Sequence, residues 1–153
     1  MNVTLDNANA IVAAALAEGR RLKLMPLSVA VLDAGGHLIA FNREDRSGIM
    51  RAEVAMGKAW GALGMGISTR LLRDRLADRP SFQAALAVAS GGRFVPVPGG
   101  VLIRDEDRAV IGAVGISGDT SDKDEACAIA GIKAAGLRPD PAEPAEGWES
   151  SKL

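Results

Sequence analysis

Two chain reversals do most to limit what this sequence can fold into. "LSVAVLD" (27–33) is apolar on both faces, "AGG" (34–36) turns the backbone, and "HLIAFNR" (37–43) runs back beside it. Farther on, "VLIRD" (101–105) and "RAVIGAVGIS" (108–117) repeat the arrangement around the charged turn Asp105, Glu106, Asp107. Each reads as a β-hairpin, from strand-length apolar runs bounded by turn residues. Helical patterns precede, separate and follow the two hairpins. The order helix, two strands, helices, two or three strands, helix lacks the β-α-β alternation that builds parallel sheets. It predicts the α+β class, an antiparallel sheet with helices on its faces.

Thr4 is placed to cap an opening helix, in which Leu5, Ala8, Ile11, Val12, Ala15, Leu16 and Leu22 recur at helical spacing. In the first hairpin, period-2 spacing puts His37, Ile39, Phe41 and Arg43 on one face of the second strand. The segment 49–66 carries Met56, Ala59, Trp60 and Leu63 at helical spacing, with small residues almost everywhere else. Gly57, Gly61 and Gly64 each cost such a helix about 1 kcal/mol relative to alanine, so close packing must compensate. "STRLLRDRLADR" and "PSFQAALAVAS" read as two short helices, each opened by a serine and separated at Pro80. "GGRFVPVPGG" has too many glycines and prolines for regular structure. Ser121 is the expected N-cap of a closing helix that stops at Gly136. Residues 1–136 thus read as a single domain, and 137–153, with its prolines and scattered acids, as an extended C-terminal arm.

The 153 residues are 48% apolar and 24% charged, enough for one sizeable core. A net charge of −1 gives no field to gather nucleic acid or an anionic membrane, so neither is an expected partner. No apolar run approaches the ~18 residues of a membrane span, and "MNVTLDNANA" lacks the features of a signal peptide, so a cytoplasmic location is expected. The lone Cys127 excludes an internal disulfide and any multi-cysteine zinc site.

No P-loop, GxSxG elbow or HExxH motif is present, and no second histidine could complete a triad. The candidates are single residues in unusual settings. His37 sits at the mouth of a hairpin, either as a metal ligand or as a solvent-facing turn residue. Lys58 is the only charge between Glu53 and Arg70, and either snorkels to water or meets an anion in a pocket. Asp124 and Glu125 suit the first turn of a helix by charge alone. With Cys127 and Gly131, Asp124 also forms a stripe of acid, thiol and bare backbone. Gly99 and Gly100 would let a flat or anionic ligand approach the main chain.

Taken together, "VAVLDAGGHLIAF", the "GKA" of the alanine-rich helix, "PGGVLI" and "VIGAVGISGDTSDKDEACAIAG" resemble the haem-degrading domain family over about residues 3–136. That group includes glycolate-utilisation G-type proteins, secreted haem-binding sensor proteins and the C-terminal domain of PduO-type adenosyltransferases. The resemblance implies a profilin-like fold, a five-stranded antiparallel sheet flanked by helices. It also implies a homo-oligomer from dimer to octamer and a small-molecule ligand, haem or a corrinoid, with slow haem breakdown in some members. Carried over by position, His37 is the metal-ligand candidate, and Lys58, Asp124 and Glu125 line the polar pocket as catalytic candidates. Gly99 and Gly100 form its lip, and Arg43 is placed to pair with a propionate or other carboxylate. A cofactor-free isomerase, tautomerase or lyase acting on a small carboxylate is the alternative, with Arg43 or Lys58 holding the anion and Asp124, Glu125 or His37 moving the proton.

Overall fold

The computed structural model describes residues 2–153. It begins with helix α1 (Leu5–Arg21), in which the Thr4 hydroxyl accepts from the Asn7 N–H at 3.1 Å, the cap expected from the sequence. Strands β1 (Ser28–Asp33) and β2 (Leu38–Arg43) form the first hairpin. Three helices follow, α2 (Arg51–Met65), α3 (Thr69–Leu76) and α4 (Pro80–Ala89). After an irregular loop come β3 (Gly100–Arg104) and β4 (Val110–Ser117), then α5 (Ser121–Ala134) and β5 (Arg138–Asp140). A short 3-10 turn at Trp148–Ser150 lies near the C-terminus.

The strands pair antiparallel throughout in the order β2-β1-β4-β3-β5, the α+β architecture that the element order demands. Alternation along the strands divides the side chains between two layers. Val29, Val31, Val101, Ile103, Val114 and Ile116 face α1 and α5, where they meet Ile11, Val12, Ile129 and Ile132. On the other face Leu32, Leu102 and Ala113 meet Ala59 and Ala62 of α2, with α3 and α4 beyond. The three interior strands, β1, β4 and β3, are buried on both sides, which is why they read as largely apolar runs. No helix of the described residues is long and apolar enough to cross a membrane.

Small residues allow α2 to lie directly on the sheet. A Cβ at Gly115 would fall 1.8 Å from the Ala55 carbonyl oxygen, and one at Gly100 would fall 2.3 Å from that of Lys58. On the outer side of α2, Gly57 and Gly61 admit Val95 and Phe94 of the loop before β3. This packing offsets the weak helix propensity of the glycines.

Local details differ from the sequence reading in four places. Leu38 pairs with Leu32 and Ala40 with Val31, so Ile39 is the extra residue of a β-bulge. Ile39 and Ala40 both pack toward the α1–α5 core, while Phe41 and Arg43 lie opposite Ala30 and Ser28 on the α2 side. The bulge therefore breaks the single face expected for residues 37–43. The cap of α5 is Thr120, whose hydroxyl accepts from the Lys123 N–H at 3.3 Å, not Ser121. α4 has no side-chain cap, because Pro80 at its first turn supplies the helical φ and lacks an N–H to be capped. Beyond Gly136, Arg138–Asp140 pairs with β3 as the fifth strand, and Ser151 Oγ reaches Thr120 Oγ1 at 2.6 Å.

Candidate functional site

The tertiary structure sorts the sequence-selected residues into two places at opposite ends of the sheet. At the β1 N-terminal end, α2 and α5 bring together Lys58, Asp124 and Glu125. Lys58 Nζ donates to the Ile116 carbonyl at 2.8 Å and to Asp124 Oδ2 at 3.2 Å, with the lysine 2% and the aspartate 1% exposed. Of the two sequence-level options for Lys58, the cation meets a buried anion. Asp124 is held from its other side by the Asp119 N–H, which reaches Oδ1 at 2.9 Å. Gly99 completes the enclosure at φ +122°, where a Cβ would lie 2.8 Å from Lys58 Nζ. Gly100 is pinned by Thr69, whose Oγ1 accepts its N–H at 2.8 Å and lies 3.3 Å from its carbonyl.

Burial pushes Asp124 up to about 6 and Lys58 down, because both charged forms lose water, and the charge of each pulls the other partly back. Glu125 is fully buried, and among the described residues neither of its carboxylate oxygens has a hydrogen-bond partner. Its nearest counter-charge is Arg70, whose Nε stands 3.4 Å from Oε2 while Nη2 donates to the Glu143 carbonyl. Burial raises the Glu125 carboxyl from its ordinary 4.5 to about 7, against the opposing charge of Arg70.

This shift has a sign that can be measured. A carboxyl with a raised folded-state pKa favours the folded chain when protonated, so its contribution is complete below about pH 4.5 and is lost as pH rises through about 7. The melting temperature is expected to fall between about pH 4.5 and about pH 7, and Glu125→Gln should flatten that part of the profile. An equally steep fall in the variant would assign it to another group.

Arg43 lies at this same end, on the edge strand. Its Nη1 donates to the Ser47 carbonyl at 2.7 Å, and Ser47 Oγ meets Ser28 Oγ at 2.8 Å. Arg51, which the sequence reading passed over, donates from Nη1 to Ser117 Oγ at 3.1 Å, one residue from the carbonyl that Lys58 holds. Arg51 stands seven residues before Lys58 and so shares its helix face, a signal available from spacing alone. Cys127 is buried with its thiol pushed up to about 12 by desolvation, which makes it a core residue and a poor nucleophile.

His37 lies at the other end, separated by the length of β1, six residues at about 3.3 Å each. The Asp33 carboxylate organises this turn: Oδ1 accepts from the Gly35 and His37 N–H groups at 2.9 Å and lies 3.2 Å from His37 Nδ1. These bonds, the His37 N–H first, hold Asp33 below the usual carboxylate range. A carboxylate only accepts, so Nδ1 is the protonated nitrogen of the neutral ring, whose Nε2 lone pair then lies on an 81% exposed side chain. Gly35 and Gly36 leave room for the imidazole and for Trp60: a Cβ at Gly35 would fall 2.9 Å from His37 Cε1, and one at Gly36 2.9 Å from Trp60 Nε1. Asp33 was legible as the start of an Asx turn in "DAGGH", but its orientation of His37 required the folded hairpin.

The sequence matches the family described as "Haem degrading protein HbpS-like" over residues 3–133. No curated protein sequence matches the chain. Among solved structures, it is similar to a PduOC:heme complex at 26% identity and a TM-score of 0.79, over 90% of this chain and 97% of that one. A double mutant of Streptomyces reticuli HbpS is 26% identical with a TM-score of 0.75, over 87% of this chain and 86% of that one. The Klebsiella pneumoniae protein ORFY shares the fold at 24% identity and a TM-score of 0.78, over 88% and 90% of the two chains.

Proposed function

This chain belongs to the HbpS-like haem-degrading protein family, and on that premise we propose that it binds haem and that His37 Nε2 would ligate the iron. The observation that carries the assignment is the Asp33–His37 pair. It fixes the tautomer a metal needs and presents the free nitrogen to solvent, with a carboxylate behind the imidazole as in many metal-bound histidines. Among the described residues, no group of three His, Cys, Asp or Glu side chains could hold a bare metal ion. A lone exposed imidazole would suit instead an iron that a porphyrin already holds. Trp60 offers an apolar wall beside the Gly35–Gly36 turn. Bound haem supplies an iron at which dioxygen chemistry can occur. The protein's part is to orient the imidazole through Asp33 and to give the ring an apolar bed.

Titration with haemin should give a saturable Soret shift that His37→Ala removes. Asp33→Asn keeps an acceptor for the turn but loses the charge behind the ring, and is expected to weaken haemin by about 10- to 100-fold. A shift indifferent to His37 would overturn the assignment. A parallel titration with a corrinoid decides between the two tetrapyrroles. Homo-oligomers from dimer to octamer are part of the proposal, supported by the exposure of Ile49 (89%), Met50 (70%) and Val88 (82%).

A second reading has its own observation, the buried Glu125 without hydrogen bonds beside the Lys58–Asp124 pair. Asp124 and Glu125 are there proposed as the proton-moving residues of an enzyme acting on a small carboxylate, with Arg43 or Lys58 as the anion holder. Small carboxylates would then raise the melting temperature in the absence of haem. Their failure to do so leaves the haem reading alone.

A further inference from the structure

Trp60 is the wall between two grooves. The first, about 130 Å³, runs beneath the Gly35–Gly36 turn that carries His37. The second, about 180 Å³, lies on the far side of the indole and is lined by Gly61, Met65, Leu86 and Phe94. Gly64 borders both, so they form one interrupted trough along the outer face of α2. α4 supplies Leu86 and Ala89 to the trough, yet none of its ten residues is buried. An apolar helix, "PSFQAALAVA", thus stands with this wall open to solvent.

One cation stands at the trough. Arg93 rests on Trp60, its guanidinium carbon 4.1 Å from the ring centroid, with Nε donating to the Ser90 carbonyl at 2.9 Å. Among the described residues no carboxylate lies within ion-pairing distance of Arg93, unlike Arg20, Arg21, Arg70, Arg73 and Arg104, which each have at least one. Its terminal nitrogens remain available for a forked pair with a carboxylate. Trp60 and Phe94 offer faces on which a planar ring can stack. Each groove falls below the roughly 300–1,000 Å³ of a site that encloses a whole drug-sized ligand, so the trough fits the edge of a larger flat molecule.

We propose that the Trp60 trough binds the edge of a flat, apolar ring system and that Arg93 takes its carboxylate. The identification of that ring as a porphyrin, with a propionate on Arg93, rests on the haem reading. The trough itself does not depend on iron.

The test uses iron-free protoporphyrin IX, which has no axial position for His37 to fill. In a Trp148→Phe background Trp60 is the only indole, and its fluorescence reports occupancy of the trough. Protoporphyrin IX should quench it saturably. Arg93→Leu keeps an alkyl chain over the indole but removes the guanidinium, and should weaken binding by about tenfold or more. The dimethyl ester should bind equally weakly to both proteins. Equal affinity of the acid for Arg93→Leu and its parent, or of ester and acid for the parent, would overturn the proposal. So would a lower solution mass in Leu86→Arg with unchanged porphyrin affinity, since that outcome makes the trough a contact between copies of the chain. Haemin binding that depends on His37 but not on Arg93 would remove the trough and leave the haem reading intact. Arg93-dependent protoporphyrin binding in a protein that gives no Soret shift with haemin would do the reverse.

Discussion

Replacing Lys58 by alanine is expected to destabilise the protein by about 3–5 kcal/mol, a fall in melting temperature of about 10 °C or more. The lysine is 2% exposed and supplies the counter-charge to an aspartate that is 1% exposed. Removing it leaves Asp124 charged and unpaired in the interior, or forces it to bind a proton, and strips the Ile116 carbonyl of its donor. Such a loss measures the cost of an orphaned partner, not the net worth of the pair. The Lys58→Met/Asp124→Asn double variant removes both charges, keeps the side-chain volume, and retains an acceptor for the Asp119 N–H. It should therefore be clearly more stable than Lys58→Ala. Urea unfolding of the three proteins checks this. A Lys58→Ala variant within about 1 kcal/mol of the parent would mean that Asp124 finds water or another partner readily.

Gly115→Ala is expected to cost more than about 3 kcal/mol, above the usual range for an overpacked core. The added methyl would sit 1.8 Å from the Ala55 carbonyl oxygen, 2.8 Å from its carbon and 2.9 Å from the Ala59 nitrogen. All three atoms belong to helix backbone, so no rotamer change relieves the clash. α2 must lift off β4, carrying Lys58 away from Ile116 and Trp60 away from the His37 hairpin. The effect should therefore appear in haemin affinity as well as in stability. Gly48→Ala is the control: its Cβ would meet only Arg51 Cγ, at 3.8 Å, and it should stay within about 0.5 kcal/mol of the parent. Equal melting temperatures for the two variants would show that α2 is not pressed onto the sheet as described.

The functional residues were unevenly legible. Lys58 stood out because a single charge in a helix of Ala, Gly, Met, Trp and Leu has to be accounted for, and the fold accounts for it with Asp124. Glu125 was visible only as an acid in a first helical turn, where the macrodipole explains it cheaply. Its burial depends on α3 and on the chain beyond Gly136, which no local pattern encodes. Arg93 carried no local signal, since its partner Trp60 lies 33 residues earlier and meets it only through the loop before β3.

The sequence by itself determined the elements and their class. Hairpin turns at 34–36 and 105–107, helical spacing in α1 and α2, and the lack of β-α-β alternation are properties of neighbouring residues, and neighbouring residues are enough to express them. The count of five strands came from the family resemblance, since the local patterns left Arg138–Asp140 in an arm that only the structure pairs with β3. Only the tertiary structure decided that the candidate residues occupy two sites. His37 and Lys58 stand on opposite ends of β1, and strand order with register, not spacing along the chain, sets that distance. It also decided which groups lose water, and through that the shifts of Asp124 and Glu125, because desolvation depends on every element packed around a side chain.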